Sequence, residues 1–186
     1  MSSYQVISNV SKTLQTVLWQ EFNQDPAIDV PAQEAIVFES PAETAKNNSN
    51  RLSIWLYHIT ENEFVSNQPR MRTGSSESQQ PPLALNLHYL ITPFATSGPG
   101  NLLLLGKTMQ VLNDNSMLHL ADSQQEIAEE LRIIFNQGTL EELSRVWSAL
   151  REPYRLSVCY QIKTVRIDSQ RVLSSMPVGL RGDDRP

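Results

Sequence analysis

Apolar side chains recur at three- and four-residue steps through Tyr4, Ile7, Val10, Leu14, Val17 and Leu18, with Ser, Thr and Gln between them. That period predicts an amphipathic helix over residues 3 to about 23. Pro26, closing the run Asn23, Gln24, Asp25, stops it, because proline has no N–H for the helical ladder. The period then changes to two. Glu34 to Glu39 reads as a short strand closed by Pro41, and residues 43–50 as a polar loop. Over Arg51 to Glu61, Leu52, Ile54 and Leu56 alternate with Trp55, Tyr57 and Ile59. Both faces are apolar, which predicts a central strand covered on both sides.

Ser66 to Pro82 is rich in Ser, Gln, Gly and Pro and reads as a long loop. The proline-fenced segment that follows, Leu83 to Thr92, sets Leu83, Leu85, Leu87, Tyr89 and Ile91 on one face. Asn86 and His88 fall on the other face, so this strand is expected to be half-buried. Beyond the Gly/Pro turn at Ser97 to Gly100, Leu102, Leu105, Met109 and Leu112 form a second helical stripe. Glu126 to Asn136 carries a strand of mixed polarity around Leu131, Ile133 and Phe135. Thr139 and Glu142 make a capping box, in which each side chain satisfies a free N–H of the first helical turn. The helix it opens runs to about Leu150, with Leu140, Leu143, Trp147 and Leu150 inward. Tyr154 to Asp168 alternates strongly, with Leu156, Val158, Tyr160 and Ile162 on one face. From Leu173 to Pro186 no period survives, and an extended or disordered tail is expected. The order α-β-β-β-α-β-α-β predicts an α/β (α+β) fold: one domain over residues 1–170 with a mixed β-sheet flanked by helices, then a tail over 171–186 that serves as an interaction segment.

With 186 residues, 40% of them hydrophobic, the chain can bury a sizeable core. The longest apolar run, Leu102 to Leu105, is far short of the roughly 20 residues a membrane span requires. The start, Met1 to Gln5, lacks the basic-then-apolar layout of a signal peptide, so cytoplasmic synthesis without a classical export signal is expected. A net charge of -5 gives a phosphate backbone no overall attraction, and no nucleic-acid partner is expected.

Candidate chemistry is sparse. The histidines, His58, His88 and His119, do not stand at metal-ligand spacing, and His58 and His88 read as hydrogen-bonded structural side chains within strands. Cys159 is the single cysteine, which excludes an internal disulfide and a multi-cysteine metal site. Its mid-strand position suits a structural thiol better than a nucleophile, which would want a helix N-terminus or a nearby cation. No glycine-rich phosphate loop or Gly-x-Ser-x-Gly elbow occurs. The carboxylate pairs Glu129–Glu130 and Glu141–Glu142 read as solvated ends of elements. No enzyme activity and no cofactor is predicted. Arg70 and Arg72 with Asn67 are a candidate clamp for a phosphate or carboxylate, set against a plain solvated loop. Trp147 and Tyr154 are expected as core aromatics at a helix-to-strand corner.

A series of blocks stands in order along residues 4 to 170: Leu52-Ser-Ile-Trp-Leu-Tyr-His-Ile-Thr-Glu-Asn62, Asn67-Gln-Pro-Arg70, Pro81-Pro-Leu-Ala-Leu-Asn-Leu-His-Tyr-Leu-Ile-Thr-Pro93, Leu105-Gly-Lys-Thr-Met-Gln-Val-Leu112, and Leu140-Glu-Glu-Leu-Ser-Arg-Val-Trp-Ser-Ala-Leu150 running into Pro153-Tyr-Arg-Leu-Ser-Val158. This combination resembles the cap, or tail-terminator, proteins of phage-tail-like contractile injection systems, of the antifeeding-prophage and Photorhabdus virulence cassette type. The resemblance implies a homo-oligomer, a hexameric ring that ends the inner tube and surrounding sheath of the particle. Sheath and tube proteins are then the partners, and the resemblance leaves open whether a second cap protein acts beside this one. It also leaves open whether the particle is released or membrane-associated. Some members of that family are longer at the C-terminus, and functions of that extension are not expected here.

Head-to-tail contacts do not close on themselves, so tube and sheath would elongate without limit unless a terminator offers a face that templates no further ring. Two segments are candidates for such contacts. The loop 66–82 offers Asn67, Arg70 and Arg72, and the tail offers Arg171, Val172, Leu173, Pro177 and Val178, extended enough to add a strand to a neighbour's sheet edge. The alternatives are another component of a contractile tail, such as a tail-completion or baseplate-side subunit, or a small-ligand or nucleic-acid binding module.

Overall fold

A computed structural model describes residues 4–62, 71–72, 77–79, 82–121, 127–167 and 172–174. The first apolar stripe becomes helix α1 (Val6–Phe22), which buries Val6, Val10, Leu14, Leu18 and Phe22. These lie at four-residue steps, a single ridge along the helix. Ile7 and Val17 flank it and are partly buried. Tyr4 precedes the helix and is 76% exposed, so it does not belong to the stripe.

The strand expected over residues 34–39 is shorter. A 3-10 turn (Gln33–Ala35) leads into strand β1 (Ile36–Val37). Gln15 on α1 reaches over this segment, its Nε2 donating to the carbonyls of Ile36 at 2.6 Å and Gln33 at 3.3 Å. Ser40 then opens a one-turn helix, α2 (Pro41–Thr44), by accepting from the Glu43 N–H. Pro41 suits the first turn of a helix, where an N–H is not needed.

The main sheet is mixed, with strand order β1-β2-β5-β8-β7-β6. Its other members are β2 (Leu52–Glu61), β5 (Leu83–Pro93), β6 (Met117–Ala121), β7 (Ile127–Asn136) and β8 (Val158–Ile167). β1 runs parallel to β2, and the remaining pairs are antiparallel. The strand β6 has no counterpart in the period-two pattern: five residues bounded by a helix end are too few to separate it from the preceding apolar stripe. Strands β3 (Met71–Arg72), β4 (Glu77–Gln79) and β9 (Val172–Ser174) form a separate three-stranded sheet in the order β3-β4-β9.

One face of the main sheet carries the principal core. Leu52 and Ile54 of β2, Leu85, Leu87, Tyr89 and Ile91 of β5, Leu131 and Ile133 of β7, and Tyr160, Ile162 and Val165 of β8 pack with α1 and with helix α3 (Gly98–Asp114). Ser97 caps α3, its Oγ accepting from the Gly100 N–H at 3.1 Å. The helix turns Leu104, Leu105, Thr108, Val111 and Leu112 inward, and Leu102 and Leu103 are exposed. The predicted stripe through Leu102 therefore starts on the wrong side, since four consecutive leucines give the period no phase. Thr108 is tolerated in the core because its hydroxyl donates to the Leu104 carbonyl at 2.7 Å. Lys107 reaches Asp25 at 3.6 Å and ties α3 to the end of α1.

The opposite face is covered only in part, by helix α4 (Leu140–Leu150). The predicted capping box is present, with Thr139 Oγ1 and the Glu142 carboxylate each accepting from the other's backbone N–H. Trp147 is buried over Leu90 and Cys159, with Trp55, Tyr57, Leu143, Val146 and Leu150 around it. Leu140 is 68% exposed rather than inward, because the cap turns the first helical residue to solvent. Arg151 ends the helix in the left-handed region, at φ 56°. The next strand begins at Val158 rather than at Tyr154. Residues 153–157 are irregular, with Tyr154 and Leu156 exposed, while Tyr154 stays in edge contact with Trp147 and Arg155 stacks over the Phe94 ring. Phe135 and Leu83, both placed on buried faces by the pattern, lie toward solvent at strand ends.

Leu18 is fully buried and Leu102 is exposed, although both belong to predicted stripes. Leu18→Ala is expected to lower unfolding stability by about 2–5 kcal/mol, and Leu102→Ala to change it by less than about 0.5 kcal/mol. Urea denaturation of the two variants measures the contrast.

Candidate interaction surfaces

Strand register places side chains in rows across the partly covered face. Trp55, Leu90, Cys159 and Asn136 lie opposite one another on β2, β5, β8 and β7, and this row sits under Trp147. The next row on the same face is His58, His88, Gln161 and Ile134. Beyond it stand Thr60 opposite Asn86, and Lys163 opposite Arg132 opposite Met117. This second part of the face is open, with His58, Arg132, Ile134 and Met117 exposed. It mixes cations, imidazoles and apolar side chains in an acidic chain.

A bulge at Tyr57, between Leu56 and His58, puts His58 on the same side as Trp55 and Tyr57. The Tyr57 hydroxyl lies 3.9 Å from Cys159 Sγ. Burial and the neighbouring thiol together push its pKa well above the usual phenol range. Burial likewise raises the Cys159 thiol, the opposite of what a nucleophile needs. Cys159 is buried, as expected of a structural thiol. The imidazoles of His58 and His88 lie side by side, ring centroids 5.3 Å apart, and His88 Nε2 is 3.1 Å from Thr60 Oγ1. Burial, then the neighbouring His58, lowers the His88 pKa. Among the described residues no three His, Cys, Asp or Glu side chains cluster to hold a metal, and no helix is long and apolar enough to cross a membrane.

The loop and tail candidates meet. Arg72 pairs with Ser78, and Ser78 pairs on its other side with Leu173, while Val172 pairs with Gln79. The start of the tail is thus a strand on the hairpin of the 66–82 segment of the same chain. Asn67, Arg70, Arg171, Pro177 and Val178 lie outside the described residues. The open face was missed by the sequence reading as a surface, although the alternation that puts Asn86 and His88 opposite the core face of β5 was its signal.

The domain is a mixed sheet backed by two helices on one face and half-covered on the other, with a thiol and a phenol packed under the covering helix. The chain belongs to the Pvc16 N-terminal domain family, whose model matches residues 9–180. Its fold is similar to that of a PVC sheath/tube terminator from an extracellular contractile injection system in the extended state, with TM-score 0.67 at 22% identity. That likeness covers 100% of this chain and 65% of the terminator chain. The tube-terminating cap of the anti-feeding prophage is similar too, with TM-score 0.55 and 21% identity over 95% of this chain and 60% of the cap. The chain therefore spans less than two thirds of the length of either. No curated protein matches it.

Tyr89 is 1% exposed and its hydroxyl is 2.8 Å from Ser11 Oγ on α1. Burial pushes its pKa up to about 12. The fold favours the neutral phenol, so this contribution is complete below pH 10 and is lost as pH rises toward 12. The stability difference between wild type and Tyr89→Phe is expected to shrink by about 1 kcal/mol between pH 9 and 11, measured by urea denaturation at each pH.

Proposed function

We propose that this chain is a structural cap, a tail terminator that forms a ring ending the inner tube and sheath of a contractile, phage-tail-like injection particle. The observation that carries this reading is the coincidence of family and fold: one family model accounts for residues 9–180, and the whole chain aligns with a sheath/tube terminator. The role is non-catalytic, consistent with a thiol and phenols held in their neutral forms by burial. The ring is a homo-hexamer, its partners are the terminal sheath and tube subunits, and assembly takes place in the cytoplasm.

A cap must bind the last ring of a stack on one side without copying its templating surface on the other. In this reading the hairpin carrying Arg72, with Asn67 and Arg70 before it, faces acidic groups of a neighbouring subunit. The tail from Arg171 joins that hairpin through Val172 and Leu173, and beyond them Pro177 and Val178 extend across that neighbour. The pairing of β9 with β4 supports a joint surface, because it joins loop and tail into one sheet.

Electron microscopy of particles assembled with and without this chain tests the role. Without it, tails are expected to become heterogeneous in length or to lose their extended sheath. Tails of unchanged length and stability would rule the cap reading out. Reversing the charges of Arg70 and Arg72, or removing residues 175–186 so that β9 is kept, is expected to reduce ring formation at least tenfold, read by mass photometry, with the monomer's circular dichroism unchanged. Rings formed normally by both variants would remove these segments from the interface.

A further inference from the structure

We propose that His58 and His88 form a two-histidine binding site for a zinc ion on the open face of the sheet. The two residues are direct register partners on β2 and β5, next to the bulge, with their rings 5.3 Å apart and 40° from coplanar. A zinc–imidazole bond is about 2.05 Å, which sets each ring centroid about 3.2 Å from the ion. Two rings at a tetrahedral angle then stand about 5.2 Å apart, whereas two at a right angle, as in square-planar or octahedral sites, stand about 4.5 Å apart. The observed 5.3 Å matches the tetrahedral spacing once each ring turns a nitrogen toward one shared point. Imidazole is a favoured ligand for zinc.

The surroundings supply what a ligating histidine uses. His88 Nε2 lies 3.1 Å from Thr60 Oγ1. With the Nε2–H donating to that hydroxyl, the ring is held in place and its Nδ1 lone pair is left for the ion, the usual arrangement of a zinc-bound imidazole with an outer hydrogen-bond acceptor. Tyr57 packs beside both rings, with centroids 6.4 Å from each, and limits their rotation. His58 is exposed, so the ion enters from solvent and water completes its coordination. No third His, Cys, Asp or Glu joins the pair among the described residues. Bound zinc would clamp β2 to β5 at the bulge.

The chain contains 3 histidines, which makes the test clean, because His119 lies on β6. Isothermal titration calorimetry of the full chain with zinc chloride is expected to show one saturable site per chain. His58→Ala and His88→Gln should each weaken zinc binding at least tenfold, and His119→Ala should leave it within twofold of wild type. The thermal midpoint of wild type, but not of His58→Ala, should rise with zinc. His58 is exposed, so that variant keeps the fold, and circular dichroism checks both. Absence of saturable binding, binding unchanged in His58→Ala, or equal loss in His119→Ala would overturn the assignment.

Discussion

The molecule is governed by a mismatch of lengths. β5 has 11 residues and extends about 35 Å, whereas α4, the helix laid on its outer face, has 11 residues and extends about 16 Å. One short helix cannot roof such a sheet. The inner face escapes the problem because α1 and α3, each of 17 residues, share it. The outer face is divided at the row of Trp55, Leu90 and Cys159, beneath Trp147. On one side of that line the side chains are buried, with Ser53 and Thr92 opposite one another in the next row. On the other they are His58, His88, Gln161, Lys163 and Arg132, which remain stable in water and available to a partner.

The same division sets the protonation of the buried reactive groups. Cys159 and Tyr57 lie under the roof, where burial favours their protonated forms. The polar groups on the open side meet solvent without a cleft to concentrate a substrate. A catalytic site needs convergent polar groups in a water-limited pocket. Among the described residues of this face, the buried groups and the clustered polar ones stand apart. Recognition of a broad surface, or of a small ion between two adjacent rings, is the chemistry such a face supports.

Much of this architecture was legible in the pattern of side chains. Period-four spacing located α1, alternation located β2, β5, β7 and β8, and the Thr139–Glu142 box marked the start of α4. The errors have local causes. Leu102 to Leu105 are all apolar, so their phase on α3 is decided by packing against β5 and not by the sequence period. Leu140 carries the right residue type for a core position but sits at the first position after a cap. Tyr154 and Leu156 alternate correctly, yet the turn out of the left-handed Arg151 delays the strand to Val158. The pairing of Val172–Ser174 with Glu77–Gln79 joins residues about ninety positions apart, and three-residue strands leave no periodic trace. The outer face was half visible: Asn86 and His88 were assigned to it, but their neighbours across the sheet depend on register.

Register also connects the fold to its role. The likeness to known terminators persists at 22% identity, so what they share is set by features that tolerate substitution: burial period, strand order and the placement of caps. Contacts with a particular partner cannot come from those features, because any sequence with the same pattern would share them. They must reside where side chains are free to differ without cost to the core. In this chain such positions include the open rows of the outer face. Core packing does not choose the residues there, and the strands behind them hold their backbone in place.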